Sequence, residues 1–389
     1  MRGHVRKRSK NSWTVVVELP RDPVTNKRRQ KWVTVKGTKK DAERELARLI
    51  NEIEKGTYVE PHKMTFTELI QKWFDVHVSA NLRENTQENY KTVLRTHIIP
   101  EIGHINIGEL KTLHLQELCA RKLKEGYSNR TVRYIISLVK EILNFGVQMQ
   151  LIPKNVAESV KLPRNETKEK ITWTADEIWK FLDIAERKSR RLYALFFMAL
   201  TTGMRREELL GLRWQDVDLD EGVAFVRQTL VVINGRLKFD EPKTEKSKRA
   251  VALSPKTVEE LRKHRALQLQ EKLKLGPAYK DHGLVFCTKD GKPLRPDNVA
   301  GRLFRSLIKK AGVPRIRFHD LRHTHATLML EAGEHPKITA ARLGHADTKT
   351  LMETYTHLVP RVQKEAAKNV DKLLIDQKTR PGDKAIQGG

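Results

Sequence analysis

Two cysteines, Cys119 and Cys287, are all that the 389 residues contain. They lie far apart in sequence, which excludes a disulfide scaffold and suits a reducing cytoplasm. No apolar run approaches the length of a membrane span, and the basic N-terminus MRGHVRKRSKNSW has no apolar core of the kind a secretory signal needs. A soluble, cytoplasmic chain with no membrane partner is therefore expected. Acidic residues are also in short supply: 48 Asp plus Glu face 75 Lys plus Arg, for a net charge of +27. The excess is spread along the whole chain instead of lining one amphipathic helix, which points to nucleic acid over a membrane surface.

Residues 1 to 40 hold 13 Lys or Arg against only Glu18 and Asp22. Within them HVRKR, WTVVVEL and RRQKWVTV read as three short strands, parted by SKNS and by the turn residues of PRDPVTNK. A helix follows, with Ala42, Leu46, Leu49, Ile50 and Ile53 on one stripe, Thr38 as its cap and Gly56 as its end. A basic three-stranded sheet backed by a helix suits a DNA groove; an ordinary α+β module with a solvated charged face is the plainer alternative. From Phe66 the period becomes helical. Phe66, Leu69, Ile70 and Trp73 form one stripe, Tyr90, Val93, Leu94 and Ile98 a second that stops at Pro100, and Leu113 to Leu123 and Val132 to Val147 complete a four-helix bundle.

KLPRNETKEK has Pro, many charges and no apolar period, as a linker does. Beyond it, Thr174 and Glu177 make a capping box, Leu192 to Leu200 reads as a buried helix, and Gly203 stops that helix with Arg205 in the turn. Val223 to Ile233 is β-branched and apolar, Asn234-Gly235 is a hairpin turn, and Arg249 to Leu253 alternates again before Ser254-Pro255. Residues 256 to 274 and 297 to 311 read as helices. The charged tail from Gln377 reads as disordered or as an interaction arm. The expected architecture is multidomain and mainly α with small β-sheets.

Chemistry concentrates between His319 and His357, in FHDLRHTHAT and then LGHADTKTLMETYTH. Leu321, Ala326, Leu328 and Met329 give His319 to Glu331 a helical rhythm, which sets His319 and Arg322 three apart on one face, where both can reach one anion. Gly344 ends the periodic KITAARL run and leaves His345 in the turn beyond it. Asp347 then caps a short helix on which Tyr355 lies about two turns in. Arg offers a planar fork for two non-bridging phosphate oxygens, His a hydrogen bond or a proton near neutral pH, and Tyr a nucleophile once cationic neighbours favour its phenolate. A solvated helix face with a half-packed Tyr is the bland alternative. Zinc is the other, given His319, His323, His325, His345 and His357, but Cys and carboxylate ligands at useful spacing are missing and no HExxH run occurs.

At these residues the chain resembles the tyrosine recombinase (phage integrase) family. The family's His-x-x-Arg box is matched by His319 and Arg322, its Leu-Gly-His by Leu343, Gly344 and His345, and its nucleophile by Tyr355. Upstream, TTGMRREELLGLRWQDVD is similar to the family's first Arg box at Thr202, Gly203, Arg205, Glu208, Leu212, Trp214 and Asp216. PKTEKSKRAVAL carries a Lys-Thr at a β turn, which selects Lys243, with Lys246 and Lys248 close by as alternatives.

The resemblance implies a site-specific DNA recombinase that integrates and excises a mobile element or prophage through a 3′-phosphotyrosine intermediate. Tyr355 would attack the scissile phosphate, Arg205 and Arg322 would neutralise its oxygens, His319 and His345 would add hydrogen bonds, and Lys243 would protonate the leaving 5′-oxygen. Glu208 would orient Arg205, and neither metal nor another cofactor is implied. In this frame residues 1–60 resemble an arm-type DNA-binding domain and 64–160 a core-binding domain. A linker occupies 161–171, the α+β catalytic domain 172–375 and the tail 376–389. Lys91, Arg95, Arg130 and Arg133 are candidate DNA contacts, chosen for charge alone. The implied partners are double-stranded DNA at core and arm-type sites and three further copies of the chain, in a homotetramer on synapsed DNA. A host bending factor and an excisionase are accessory partners of such a system, which acts on DNA in the bacterial cytoplasm, at the nucleoid. A type IB topoisomerase, acting as a monomer, and a catalytically idle DNA-binding protein stay open as rivals.

Overall fold

The computed structural model describes residues 3–21, 26–54, 63–164, 171–242 and 247–344, together with 367 and 371. The chain divides into two units, Met1–Thr167 and Lys168–Gly389.

In the first unit β1 (Gly3–Ser9), β2 (Ser12–Leu19) and β3 (Arg29–Lys36) form an antiparallel sheet in the order β1-β2-β3. Alternation turns Val15, Val17 and Leu19 to one face, where they join Ala42, Leu49 and Ile53 of α1 (Lys39–Glu54) in a small core. Thr38 caps α1: the Asp41 amide donates to Thr38 Oγ1 at 3.3 Å and the Thr38 amide to Asp41 Oδ2 at 2.9 Å. Gly56, the expected helix end, lies outside the described residues. In the register of the sheet, His4 stands opposite Val16 and Val16 opposite Trp32, and the next such row joins Arg6, Thr14 and Thr34. Trp32 is 58% exposed.

The bundle starts where Thr65 and Glu68 close a capping box on α2 (Phe66–Trp73). A π turn over Phe74–Val78 carries that helix into α3 (Ser79–Asn81). Likewise α4 (Glu84–Val93) runs through a π turn, Leu94–Ile98, into α5 (Ile99–Ile102). Pro100 therefore does not stop the second stripe. The π turn restarts the helix at Ile99, so Pro100 falls in a first turn, where a missing amide hydrogen removes no helical bond. With α6 (Thr112–Lys124) and α7 (Asn129–Gln148) these helices enclose Phe66, Leu69, Trp73, Ile98, Leu115 and Leu118. Full burial of each such side chain stabilises the bundle by roughly 1.5–3 kcal/mol. The first residues of the expected linker are tied down: Lys161 exchanges hydrogen bonds of 3.1 and 3.2 Å with Gln116, and Arg133 donates to the Pro163 carbonyl at 3.0 Å. A polar, Pro-containing composition does not prevent main-chain groups from finding partners, so the segment runs along the bundle at least to Arg164, whose carbonyl accepts from Asn129.

In the second unit α8 (Ala175–Lys188) starts at the Thr174–Glu177 capping box. It packs on α9 (Arg190–Thr202), which is buried at every position from Leu192 to Leu200 and also meets α11 (Pro255–Leu275) and α13 (Asp320–Glu331). The rings of Trp173, Phe181 and Phe304 pack at tilted and edge-to-face angles, 4.9–5.9 Å between centres, and hold α12 (Phe304–Ala311) to α8. The short α10 (Arg206–Gly211) follows α9, and α14 (Pro336–Leu343) follows α13.

Among the described residues two sheets complete the unit. β4 (Val217–Asp218), β5 (Val223–Phe225) and β8 (Ala250–Ala252) pair in the order β4-β5-β8, and β6 (Thr229–Ile233) and β7 (Arg236–Asp240) form a separate hairpin. Its turn is Asn234-Gly235, with φ of 49° and 73°. Val223 to Ile233 is thus two strands instead of one. At the break Gln228 donates to the Gly211 carbonyl at 2.8 Å, and Gly211 approaches the Thr229 main chain so closely that a Cβ would meet it at 2.9 Å. Among the described residues no helix is long and apolar enough to cross a membrane.

Candidate active site

In the second unit α9 and α14 each end in a left-handed glycine, Gly203 at φ 63° and Gly344 at φ 67°. A side chain is excluded at both by φ and by space: a Cβ on Gly203 would stand 2.6 Å from His325 and Leu343, and one on Gly344 2.9 Å from Arg249. The carbonyls that these helix ends leave over carry partial negative charge and attract guanidinium groups. Arg322, buried on α13, donates from Nη1 to the Gly203 carbonyl at 2.8 Å and from Nη2 to the Leu343 carbonyl at 2.6 Å. Arg205, at the N-cap of α10, donates from Nη2 to the Gly344 carbonyl at 3.2 Å. The two expected arginines are thereby fastened to the same pair of turns.

Glu208 fixes Arg205. Its Oε2 accepts from the Arg205 amide and its Oε1 from Arg205 Nη1, both at 2.8 Å. Arg249 closes a second fork on the same carboxylate, at 3.1 and 3.0 Å. Burial alone would raise the Glu208 carboxyl, but the hydrogen bonds and charge of Arg249, and then Arg205, outweigh it and hold the group below the usual carboxylate range. Arg206 turns instead to Glu207, with Nη2 at 2.7 Å.

His319 is the N-cap of α13 and meets His323 edge to face at 5.4 Å. It is exposed by area yet lines a cleft of about 890 Å³, where desolvation and then the Arg322 charge lower its pKa. Arg206, Arg305, Arg315 and Arg317 line the same cleft together with Glu207, Asp297 and Asp320, so its lining carries both signs with a small positive excess. Arg317 is held by the buried Asp320 through both carboxylate oxygens.

The inner side of α13 is more polar than its apolar rhythm suggests. Leu321 and Ala326 are buried, Leu328 and Met329 only half so, while Asp320, Arg322, Thr324, His325 and Thr327 are all buried. His325 shows why such residues are tolerated: Nδ1 lies 2.8 Å from the Leu200 carbonyl, and Nε2 accepts from Arg342 at 3.3 Å. Both ring nitrogens are thus committed to protein groups, which removes His325 from any zinc set. Among the described residues no three His, Cys, Asp or Glu side chains are placed to hold a metal ion.

Lys243, His345 and Tyr355 lie outside the described residues, as does Lys246; Lys248 pairs with Glu241 at 3.2 Å. On the bundle, Lys91 pairs with Glu88 at 2.8 Å and stands 5.5 Å from the Phe74 ring centre. With Arg95 it lines a groove of about 570 Å³. Arg130 is exposed in the first turn of α7, and Arg133 is half-buried and engaged by Pro163. Nothing in the sequence pointed to Arg249, because it ends a run of lysines and its partner is 41 residues away.

The phage integrase family matches residues 172–361, and the N-terminal SAM-like domain of phage integrases matches residues 65–123. A protein described as tyrosine recombinase XerC-like, from Caldanaerobacter subterraneus, is 29% identical over 357 residues, which cover 87% of this chain and 90% of that one. The ICEBs1 integrase of Bacillus subtilis is 27% identical over 95% of this chain and 100% of its own length. In structure, the Tn1549 transposon integrase in complex with transposon right end DNA superposes with a TM-score of 0.68 at 22% identity, covering 79% of this chain and all of that one. The lambda integrase tetramer bound to a Holliday junction gives 0.56 at 20% identity, over 88% of this chain and 92% of that one.

Proposed function

The chain belongs to the phage integrase family of tyrosine recombinases, and from that premise we propose how its own residues carry out the reaction. It is a site-specific recombinase that cuts and rejoins DNA strands to integrate and excise a mobile element or prophage. Tyr355 attacks the scissile phosphate; a bond forms between phosphorus and the phenolic oxygen, and the bond to the 5′-oxygen breaks. The freed 5′-hydroxyl of a partner strand later reverses the step, so bond energy is kept and no nucleotide is consumed.

Arg205 and Arg322 meet the charge that grows on the non-bridging oxygens. His319, with its pKa lowered, is neutral near pH 7 and donates a hydrogen bond; His345 supplies a second. Removing one such donor typically reduces the rate about 10²–10³-fold. Lys243 protonates the leaving 5′-oxygen, and Glu208 keeps Arg205 in place. The observation that carries this account is the fastening of Arg205 and Arg322, 117 residues apart in sequence, to one pair of glycine turns beside an arginine-containing cleft.

The partner is double-stranded DNA. Residues 1–60 bind arm-type sites, with Trp32 and the Arg6 row toward the groove. Lys91, Arg95 and Arg130 serve the core site, and Arg133 has the smaller part because it is engaged by Pro163. Four copies assemble on synapsed sites in the bacterial cytoplasm, at the nucleoid, with a host bending factor and an excisionase as accessories. The DNA complexes of the Tn1549 integrase and the lambda integrase tetramer support the DNA partner and the four-copy assembly. The deciding experiment uses attachment-site DNA and a denaturing gel. Tyr355→Phe is expected to bind that DNA and give no covalent complex; an adduct from the Phe variant would remove Tyr355 from the role.

A further inference from the structure

We infer that Arg249 is a positioning residue for strand cleavage, acting on Arg205 through Glu208 and on the Gly344 turn directly. The inference rests on the recombinase reading above. Arg249 stands one residue before β8, and its side chain is only 8% exposed. Its guanidinium works in three directions. Nη1 and Nη2 close on the two oxygens of Glu208 at 3.1 and 3.0 Å, and Nε donates to the Arg342 carbonyl at 2.8 Å, in the last turn of α14. The Gly344 main chain packs on the same group, since a Cβ there would come within 2.9 Å of Nη1 and 3.1 Å of Cζ.

Glu208 is itself 2% exposed and holds Arg205 with the same two oxygens, while Arg205 reaches the Gly344 carbonyl. One buried carboxylate therefore takes two arginines, and the second of them sets both the carboxylate and the turn on which the first is fastened. Lysine offers one point of charge and cannot make this three-way connection. Without Arg249, Glu208 loses its principal counter-charge, and both anchors of Arg205 are free to shift. Arg205 then meets the phosphate out of place, although nothing that touches the substrate has been removed.

The test compares single-turnover cleavage of attachment-site DNA by the full chain on two substrates. One has an ordinary scissile phosphate; in the other a methyl group replaces a non-bridging oxygen, which removes the charge that Arg205 meets. On ordinary DNA, Arg249→Ala is expected to bind as the parent does and cleave about 10- to 100-fold more slowly, the size of effect that a shift of about 1 Å produces. On the methyl-substituted DNA the deficit shrinks to less than about threefold, because the misplaced group has little charge left to stabilise. Arg249→Lys keeps the charge without the fork, shows the same substrate-dependent deficit, and carries the test where Arg249→Ala does not fold. An equal deficit on both substrates, or none on either, overturns the inference and leaves the recombinase reading intact. Failure of both variants to fold also overturns it, since Arg249 is then a structural residue. Absence of any covalent adduct from the unmodified chain on ordinary DNA removes the recombinase reading, and the inference with it.

Discussion

Arg322 Nη1 donates to the carbonyl oxygen of Gly203 at 2.8 Å, across 119 residues of chain. Its Nη2 reaches the Leu343 carbonyl, so a single side chain ties the end of α9 to the end of α14. These anchors are main-chain atoms. The position of the guanidinium is therefore set by backbone, and the two left-handed glycines belong to the site as much as the arginines do.

Gly203→Ala follows from this directly. A left-handed residue with a Cβ costs about 1–2 kcal/mol, and here the Cβ would stand 2.6 Å from His325 and Leu343 as well. A loss of roughly 2–4 kcal/mol in urea unfolding is expected, with slower cleavage in the fraction that stays folded. A variant within about 0.5 kcal/mol of the parent would show that the turn relaxes freely.

Acid should weaken the second unit through two buried histidines. Burial, helped by the charge of Arg342, pushes His325 down to about 4, and burial does the same for His264. The ordinary value, kept in the unfolded chain, is about 6.5. Between these values the unfolded state binds more protons. The stabilisation is thus fully present above about pH 6.5 and declines as pH falls toward about 4, by on the order of 2 kcal/mol per histidine at about pH 5. Urea midpoints at about pH 7 and about pH 5 measure it. His325→Gln is expected to show a smaller drop than the parent; an unchanged drop would clear His325 of the effect.

Lys243 can be tested by its leaving group. Lys243→Ala is expected to cleave ordinary DNA about 10²–10⁴-fold more slowly. A 5′-bridging sulfur leaves without a proton, because thiols at about pKa 8.5 are far stronger acids than alcohols. On that substrate Lys243→Ala should recover most of its rate, whereas Arg205→Ala and Arg322→Ala should not. Rescue of Lys246→Ala or Lys248→Ala in its place would move the general acid to another lysine of the turn.

The N-terminal sheet makes a separate prediction. Deleting residues 1–60 should abolish binding to arm-type sites and flatten the salt dependence of total binding by about 0.9 for each phosphate no longer neutralised, while core-site cleavage persists. Trp32→Ala should weaken arm binding with little change in that slope, since indole carries no charge. Loss of core cleavage in the folded truncation would join the segment to the catalytic part.

Local chemistry was legible in the sequence and long-range chemistry was not. The capping box Thr174–Glu177, the Asn234-Gly235 turn and the glycine stops at 203 and 344 each depend on a few adjacent residues, and each is found in place. Pro100 misled because a π turn several residues earlier changes what a proline interrupts. The break at Val226 to Gln228 depends on Gly211, which periodicity within the strand cannot report. At the site, Arg205, Glu208, His319 and Arg322 were readable as motif members. Arg249 and the polar inner face of α13 were not, because their partners lie on other elements.

The clasp on Arg322 also orders events in time. Arg205 leaves the ribosome more than a hundred residues ahead of Arg322, and Tyr355 follows later still. Contacts spanning such lengths of chain form late, because a long loop must close before they return any energy. A half-folded chain can therefore have its N-terminal sheet and its bundle formed while the clasp between α9 and α14 is still open. In the proposed mechanism, strand cleavage waits for that clasp to close.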